Sequence, residues 1–133
     1  MGSDNLVLAV GGMDQHIHLY AALGGTLNFE YATSLKGHEN ALTKLTAINA
    51  NGELLLASAS KDGYIRVWKV TPTNEVPNFQ RSRYALFGDL SIYLESILIA
   101  HECSVTNLVW STRLTRSPLT LVSTSTDCTV GVW

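Results

Sequence analysis

The sequence predicts an all-β protein, and three observations predict it. First, three fifteen-residue stretches align without a gap: 6–20 reads LVLAVGGMDQHIHLY, 54–68 reads LLLASASKDGYIRVW and 119–133 reads LTLVSTSTDCTVGVW. Second, a shorter element recurs ahead of two of them, LKGHENALTKL at 35–45 and LIAHECSVTNL at 98–108. Third, apolar runs rich in β-branched and aromatic residues alternate with short polar turns, the pattern of half-buried strands.

Each fifteen-residue stretch is an apolar run, a turn around Asp14, Asp62 or Asp127, and a second alternating run, which makes a β-hairpin. The shared frame is Leu6/Leu54/Leu119, Leu8/Leu56/Leu121, the Asp, and the closing aromatics Tyr20/Trp68/Trp133. Aligning His38 on His101 also matches Leu35 with Leu98, Glu39 with Glu102, Thr43 with Thr106 and Leu45 with Leu108. A unit is therefore a short strand, a His-Glu turn, an apolar strand and the hairpin. His38 precedes Asp62 by 24 residues, His101 precedes Asp127 by 26, and the closing aromatic follows each Asp by 6. Four strands per unit, with a His early and a Trp at the close, predict propeller blades rather than a sandwich.

Boundaries follow from this spacing. Residues 1–20 read as a partial blade with its hairpin only, 21–71 as one repeat, 72–91 as an insertion loop, and 92–133 as a second repeat that stops at its third strand. The insertion opens with Pro72 and Pro77 and holds Arg81, Arg83 and Asp89. Such length is tolerated because closure entropy grows slowly. Ile92–Ile99 reads as the returning outer strand. A propeller closes with about four blades or more, so about three incomplete blades predict an open array cut from a larger propeller.

Composition excludes several classes. Apolar residues make up 46% and charged residues 15%, too apolar for a disordered chain. Lys plus Arg is 9 against 11 for Asp plus Glu, so no basic excess drives nucleic-acid binding by counterion release. No apolar run reaches the ~18 residues of a membrane-spanning helix. Asp4, rather than a basic residue, precedes Leu6, which is not a secretory signal. Cys103 and Cys128 make neither a disulfide framework nor a ligand-spaced pair, so reduced thiols in an intracellular compartment are expected.

At the His, Ser, Asp and Trp positions the pattern resembles the WD40 repeat family. The resemblance implies two structural tetrads: His38, Ser58, Asp62 and Trp68, and His101, Ser123, Asp127 and Trp133. In each, a carboxylate accepts from an imidazole and from turn amides while an indole N–H donates to a hydroxyl. The competing reading is a nucleophilic Ser-His-Asp triad. Two copies at nearly equal spacing, and the lack of a G-x-S-x-G elbow, count against it. No catalytic residue, cofactor, metal or small-molecule substrate is expected. His16 and His18 share one face of a strand and would suit a metal with Asp14, but packing is the favoured reading. Gly11-Gly12 is expected to serve a tight turn, and the charges at 81–84 to be a solvated loop.

Longer phrases are more specific. LAVGGMDQHIHLY, then LKGHENALTKL and LLLASASKDGYIRVWKV, then a long insertion, YLESILIAHE, VTNLVW and LVSTSTDCTVGVW, resemble the family of the second subunit of the Elongator complex from about Leu6 to Trp133. Ala41 and Ser104 stand where that family has Trp, and Ala100 where it has Gly. The resemblance implies three adjacent blades of the first of two seven-bladed propellers, in a non-catalytic scaffold. Its partners would be the catalytic subunit, a radical SAM and acetyltransferase-like enzyme, and other scaffold subunits. Support of wobble-uridine modification in tRNA, a link to transcription elongation, and a cytoplasmic and nuclear location are further implications, with no direct nucleic-acid contact and no membrane. Glu39, Asn40, Lys61 and Glu102 are the expected partner-facing turn residues, and 72–91 is a second candidate on the opposite rim. The runner-up is a WD40 adaptor of another complex, such as a ubiquitin-ligase substrate receptor.

Overall fold

A computed structural model describes residues 6–22, 24–50, 53–76, 83–87, 90–111 and 119–133. Three antiparallel sheets contain nearly all of its regular structure. The first holds β1 (Leu6–Gly11), β2 (Ile17–Ala22) and β3 (Glu30–Leu35), in that order. The second holds β4 (Leu42–Ala50), β5 (Glu53–Ser60), β6 (Tyr64–Pro72), β7 (Arg83–Phe87) and β8 (Leu90–Ile99), in the order β4-β5-β6-β8-β7. The third holds β9 (Val105–Trp110), β10 (Leu121–Ser125) and β11 (Val130–Val132), in the order β11-β10-β9. One 3-10 turn spans Thr73–Glu75. The sheets are open blades of a propeller, and among the described residues no helix is long and apolar enough to cross a membrane.

A unit of sequence is not a unit of sheet. The opening strand of each repeat pairs with the closing strand of the hairpin before it. β3 lies on β2 from Ile17↔Leu35 to Ala21↔Glu30, and β8 lies on β6 from Tyr64↔Ile99 to Pro72↔Leu90. A strand that follows a hairpin finds its nearest antiparallel partner in that hairpin, and the chain crosses to the next sheet only at the His-Glu turn. Each repeat thereby ties two blades together covalently.

The insertion predicted as a loop over 72–91 contains a strand. β7 adds to the outer edge of β8, with Arg83↔Tyr93 and Tyr84↔Ile92 opposed. The reason is period-two patterning within RYALF: Tyr84 and Leu86 pack on the first core while Arg83 and Ala85 face solvent. Tyr84 meets Trp68 edge-on at 6.4 Å, and its hydroxyl accepts from Lys36 N at 3.4 Å. β8 also starts at Leu90, two residues before Ile92. Pro77, Arg81 and Asp89 lie outside the described residues.

β5 explains where the cores sit. Its residues alternate between two faces, and both faces are covered, so Leu55 to Ser60 is buried without a break. Leu56 joins Ile17, Leu19, Leu35, Trp68 and Ile92 against the first sheet. Leu55, Ala57 and Ala59 join Ile65, Val105, Leu108 and Leu121 against the third. Trp110 Nε1 donates across the second interface to Thr46 O at 3.3 Å.

Gly11 closes β1 opposite Ile17, so it lies in the strand and not in the tight turn expected of it. A Cβ there would stand 2.6 Å from Leu42 Cδ1, so glycine lets the first hairpin approach β4. Leu42 N donates to Gly12 O at 2.9 Å in the same approach.

Candidate functional site

The hairpin turns carry the chemistry-bearing residues. In Ser60-Lys61-Asp62-Gly63 the amide of Gly63 donates to Ser60 O at 3.2 Å, closing the turn. Gly63 then takes a left-handed φ of 83°. The same conformation recurs one residue after each Asp, at Gln15 (φ 70°) and Cys128 (φ 68°). This is a tight turn followed by a left-handed residue, a common short hairpin connection. The Asp side chain caps its own turn: Tyr64 N donates to Asp62 Oδ1 at 2.8 Å, and Thr129 N to Asp127 Oδ1 at 2.9 Å.

From these turns a buried hydrogen-bonded chain runs inward. Trp68 Nε1–H donates to Ser58 Oγ (3.1 Å), and Ser58 Oγ–H donates to His38 Nε2 (2.8 Å). His38 Nδ1–H donates to Asp62 Oδ2 (3.1 Å), which also accepts from Glu39 N (3.0 Å). An ionised carboxylate only accepts, so the Asp62 contact calls for a proton on Nδ1, while Arg66 Nη1–H, 2.9 Å from the same nitrogen, competes for it as an acceptor. In the third sheet Trp133 Nε1–H donates to Ser123 Oγ (3.0 Å), and Ser123 stands 2.8 Å from His101 Nε2. His101 Nδ1 lies 2.8 Å from Thr129 Oγ1 and 3.3 Å from Asp127 Oδ2, and Thr129 Oγ1–H donates on to Asp127. Glu102 N donates to Asp127 Oδ2 at 3.1 Å. The eight tetrad residues named from the sequence thus meet in two groups of four.

The electrostatics follow from burial. Desolvation lowers the pKa of His38 below its ordinary value, and the nearby Arg66 charge adds to this against the opposing pull of Asp62. Burial alone would raise the carboxyl of Asp62, but the amides of Glu39 and Tyr64 and the imidazole outweigh it and hold it low. Asp127 is held down to about 2, first by the Thr129 hydroxyl and then by the amides of Thr129 and Glu102.

Sequence reasoning missed three participants. Arg66 is buried with Nη1 2.9 Å from His38 Nδ1 and 3.6 Å from Asp62 Oδ2, and its Nε is buried without a hydrogen-bond partner. Ser60 Oγ donates to Ala41 O (2.9 Å) and accepts from Asp62 N (3.1 Å). Ser125 repeats this with Ser104 O (2.9 Å) and Asp127 N (3.1 Å). The signal for the serines was available: both stand two residues before the Asp. Arg66 left no such signal, since Gly131 and His18 occupy its position in the other hairpins.

Glu39, Asn40, Lys61 and Glu102 are all exposed, on the turns beside the tetrads. Asn40 Oδ1 accepts from Ala41 N at 2.8 Å. Cys103 and Cys128 are free, exposed thiols. His16 and His18 lie beside Asp14, with one potential ligand atom from each of the three within 4.8 Å of the others.

Open antiparallel blades fastened by His-Ser-Asp-Trp chains define a class, and the chain belongs to the WD40 repeat family. The family described as "WD domain, G-beta repeat" matches residues 29–69 and 93–133. More particularly, the chain is similar to proteins named Elongator complex protein 2. That of Danio rerio is 32% identical over 147 residues, covering 99% of this chain and 18% of that protein. That of Arabidopsis thaliana is 28% identical, covering 95% and 18%. That of Homo sapiens is 26% identical, covering 98% and 18%. The chain therefore spans 18% of the length of these relatives.

Proposed function

We propose that the chain is a non-catalytic interaction segment of an Elongator-type assembly, supporting wobble-uridine modification in tRNA and working in the cytoplasm and nucleus. The observation that carries this reading is similarity along nearly the whole chain to proteins named Elongator complex protein 2. The site geometry supports the non-catalytic part. Ser58 and Ser123 have no exposed surface, and each hydroxyl is held between an indole and an imidazole, so no substrate carbonyl can reach either. Binding would fall to the exposed turns that bear Glu39, Asn40, Lys61 and Glu102.

The test is affinity purification of the tagged full-length protein from its own cells, with mass spectrometry of what it retains. A radical SAM and acetyltransferase-like subunit together with scaffold subunits is the expected result. A cullin-type partner set would select the ubiquitin-ligase adaptor instead, and recovery of the protein alone would also overturn the proposal.

A further inference from the structure

We infer that Asp14, His16 and His18 form a binding site for a first-row divalent metal ion, with zinc the best fit. The first hairpin differs from the other two in what its Asp can do. Val10 stands where Ser58 and Ser123 stand, and Tyr20 where Trp68 and Trp133 stand. A chain from indole through hydroxyl to imidazole cannot form there, which leaves the Asp14 carboxylate to other partners. The positions two and four residues after the Asp are Tyr64 and Arg66 in the second sheet and Thr129 and Gly131 in the third. In the first they are both histidines.

Local geometry brings the three groups together. Ile17 and Leu19 point inward and are buried, so His16 and His18 fall on the opposite, half-buried side of the strand. Asp14 Oδ1 accepts from His16 N at 3.3 Å, which turns the carboxylate toward that side. Asp14 Oδ2 lies 2.5 Å from His18 Nε2, and the two rings stand edge to face with centroids 6.1 Å apart. One ligand atom from each residue lies within 4.8 Å of the others.

The surroundings orient the ligands as metal sites require. His18 is paired across the sheet with Ser34, whose Oγ is 3.0 Å from His18 Nδ1 and 2.6 Å from the Tyr31 hydroxyl. With Nε2 against the Asp14 carboxylate, the imidazole proton sits on Nε2 in the closed contact; when an ion displaces that contact, Ser34 Oγ accepts from Nδ1–H and frees the Nε2 lone pair for the metal. Two imidazole nitrogens and one carboxylate oxygen suit zinc, and also copper and nickel, with water in the remaining position. Asp14 and His18 are partly exposed, at 53% and 30% of their side chains, so the contact between them can open to admit an ion. In the bound state the single imidazole proton lies on Nδ1, against Ser34 Oγ, and Nε2 is the ligand.

The site does not depend on which assembly the chain joins. The test is titration of the full chain with zinc and cobalt salts, in competition with a chromophoric chelator. One equivalent should bind, with a cobalt visible spectrum of low-symmetry coordination. His16→Ala and His18→Ala should each weaken binding by ~100-fold or more, and Ser34→Ala by ~10-fold as loss of a second-shell partner. The double variant Cys103→Ser with Cys128→Ser should bind as the parent does, which separates this site from the exposed thiols. Far-UV circular dichroism shows whether each variant keeps its strands, and His16→Gln replaces His16→Ala if that one does not. The inference fails if the parent binds no stoichiometric metal. It fails equally if binding survives loss of His16 or His18, or disappears with the thiols.

Discussion

Trp68 Nε1 donates to Ser58 Oγ across 3.1 Å, and neither residue has any exposed surface. The hydroxyl is the only link between the indole and His38, so its removal strands two polar groups where water cannot reach. Leaving a buried donor or acceptor unpaired costs about 1–3 kcal/mol. Ser58→Ala should therefore lower stability by about 3 kcal/mol in urea unfolding. Ser123→Ala should cost only about 1 kcal/mol, because its indole partner Trp133 is 41% exposed and solvent can take over. Equal losses at the two positions would contradict the idea that burial sets the cost.

The left-handed residue after each Asp gives a second prediction. A Cβ at Gly63 would meet His101 O at 2.4 Å and Cys103 O at 3.2 Å, and its φ is one that L side chains rarely adopt. That close approach is what lets His101 N donate to Gly63 O at 3.1 Å, fastening one blade to the next. Gly63→Ala should cost about 2 kcal/mol or more. Cys128 holds a similar φ without glycine's freedom, so Cys128→Gly should raise stability by about 1 kcal/mol. Thermal unfolding of the two variants checks both signs.

Which parts of this were legible in the sequence has a physical pattern. The hairpins were readable because strand alternation and the turn Asp are local, and the tetrads because they repeat at fixed spacing. The return of Ile92–Ile99 as an outer strand was readable from the repeat, whereas its pairing register on β6 was not, because register is a tertiary choice that periodicity does not encode. β7 escaped because five residues of RYALF between turn-like segments carry too short an alternation, although Tyr84 and Leu86 mark it in hindsight. Arg66 escaped for another reason: a charged residue in a strand reads as solvent-facing until its carboxylate and imidazole neighbours are seen.

Leu108 sits wholly buried between the second and third sheets, in contact with the face of β5 that bears Leu55 and Ala57. Truncation there leaves a cavity between two rigid blades that cannot collapse onto it. Leu108→Ala should destabilise by about 2–5 kcal/mol. The same change at Leu27, which is exposed, should cost less than about 0.5 kcal/mol. Denaturant midpoints of the pair measure the difference directly.

Acid should weaken the fold in two stages, and the direction of each follows from its group. His38 has a folded pKa below its ordinary 6.5, so the unfolded chain binds its proton first. Its contribution is complete above that value and is lost as pH falls from 6.5 toward the folded pKa. Asp62 and Asp127 are also lowered in the folded state, from an ordinary 3.8, and Asp127 to about 2. Their contributions are present above 3.8 and are lost as pH falls from there toward 2. Urea midpoints should therefore decline below pH 6.5 and again below pH 3.8. Arg66→Met removes a charge that holds His38 neutral, so the His38 midpoint followed by NMR should move upward toward its ordinary value and the first decline should flatten. A His38 midpoint that stays put, or moves down, would mean that desolvation alone keeps the ring neutral.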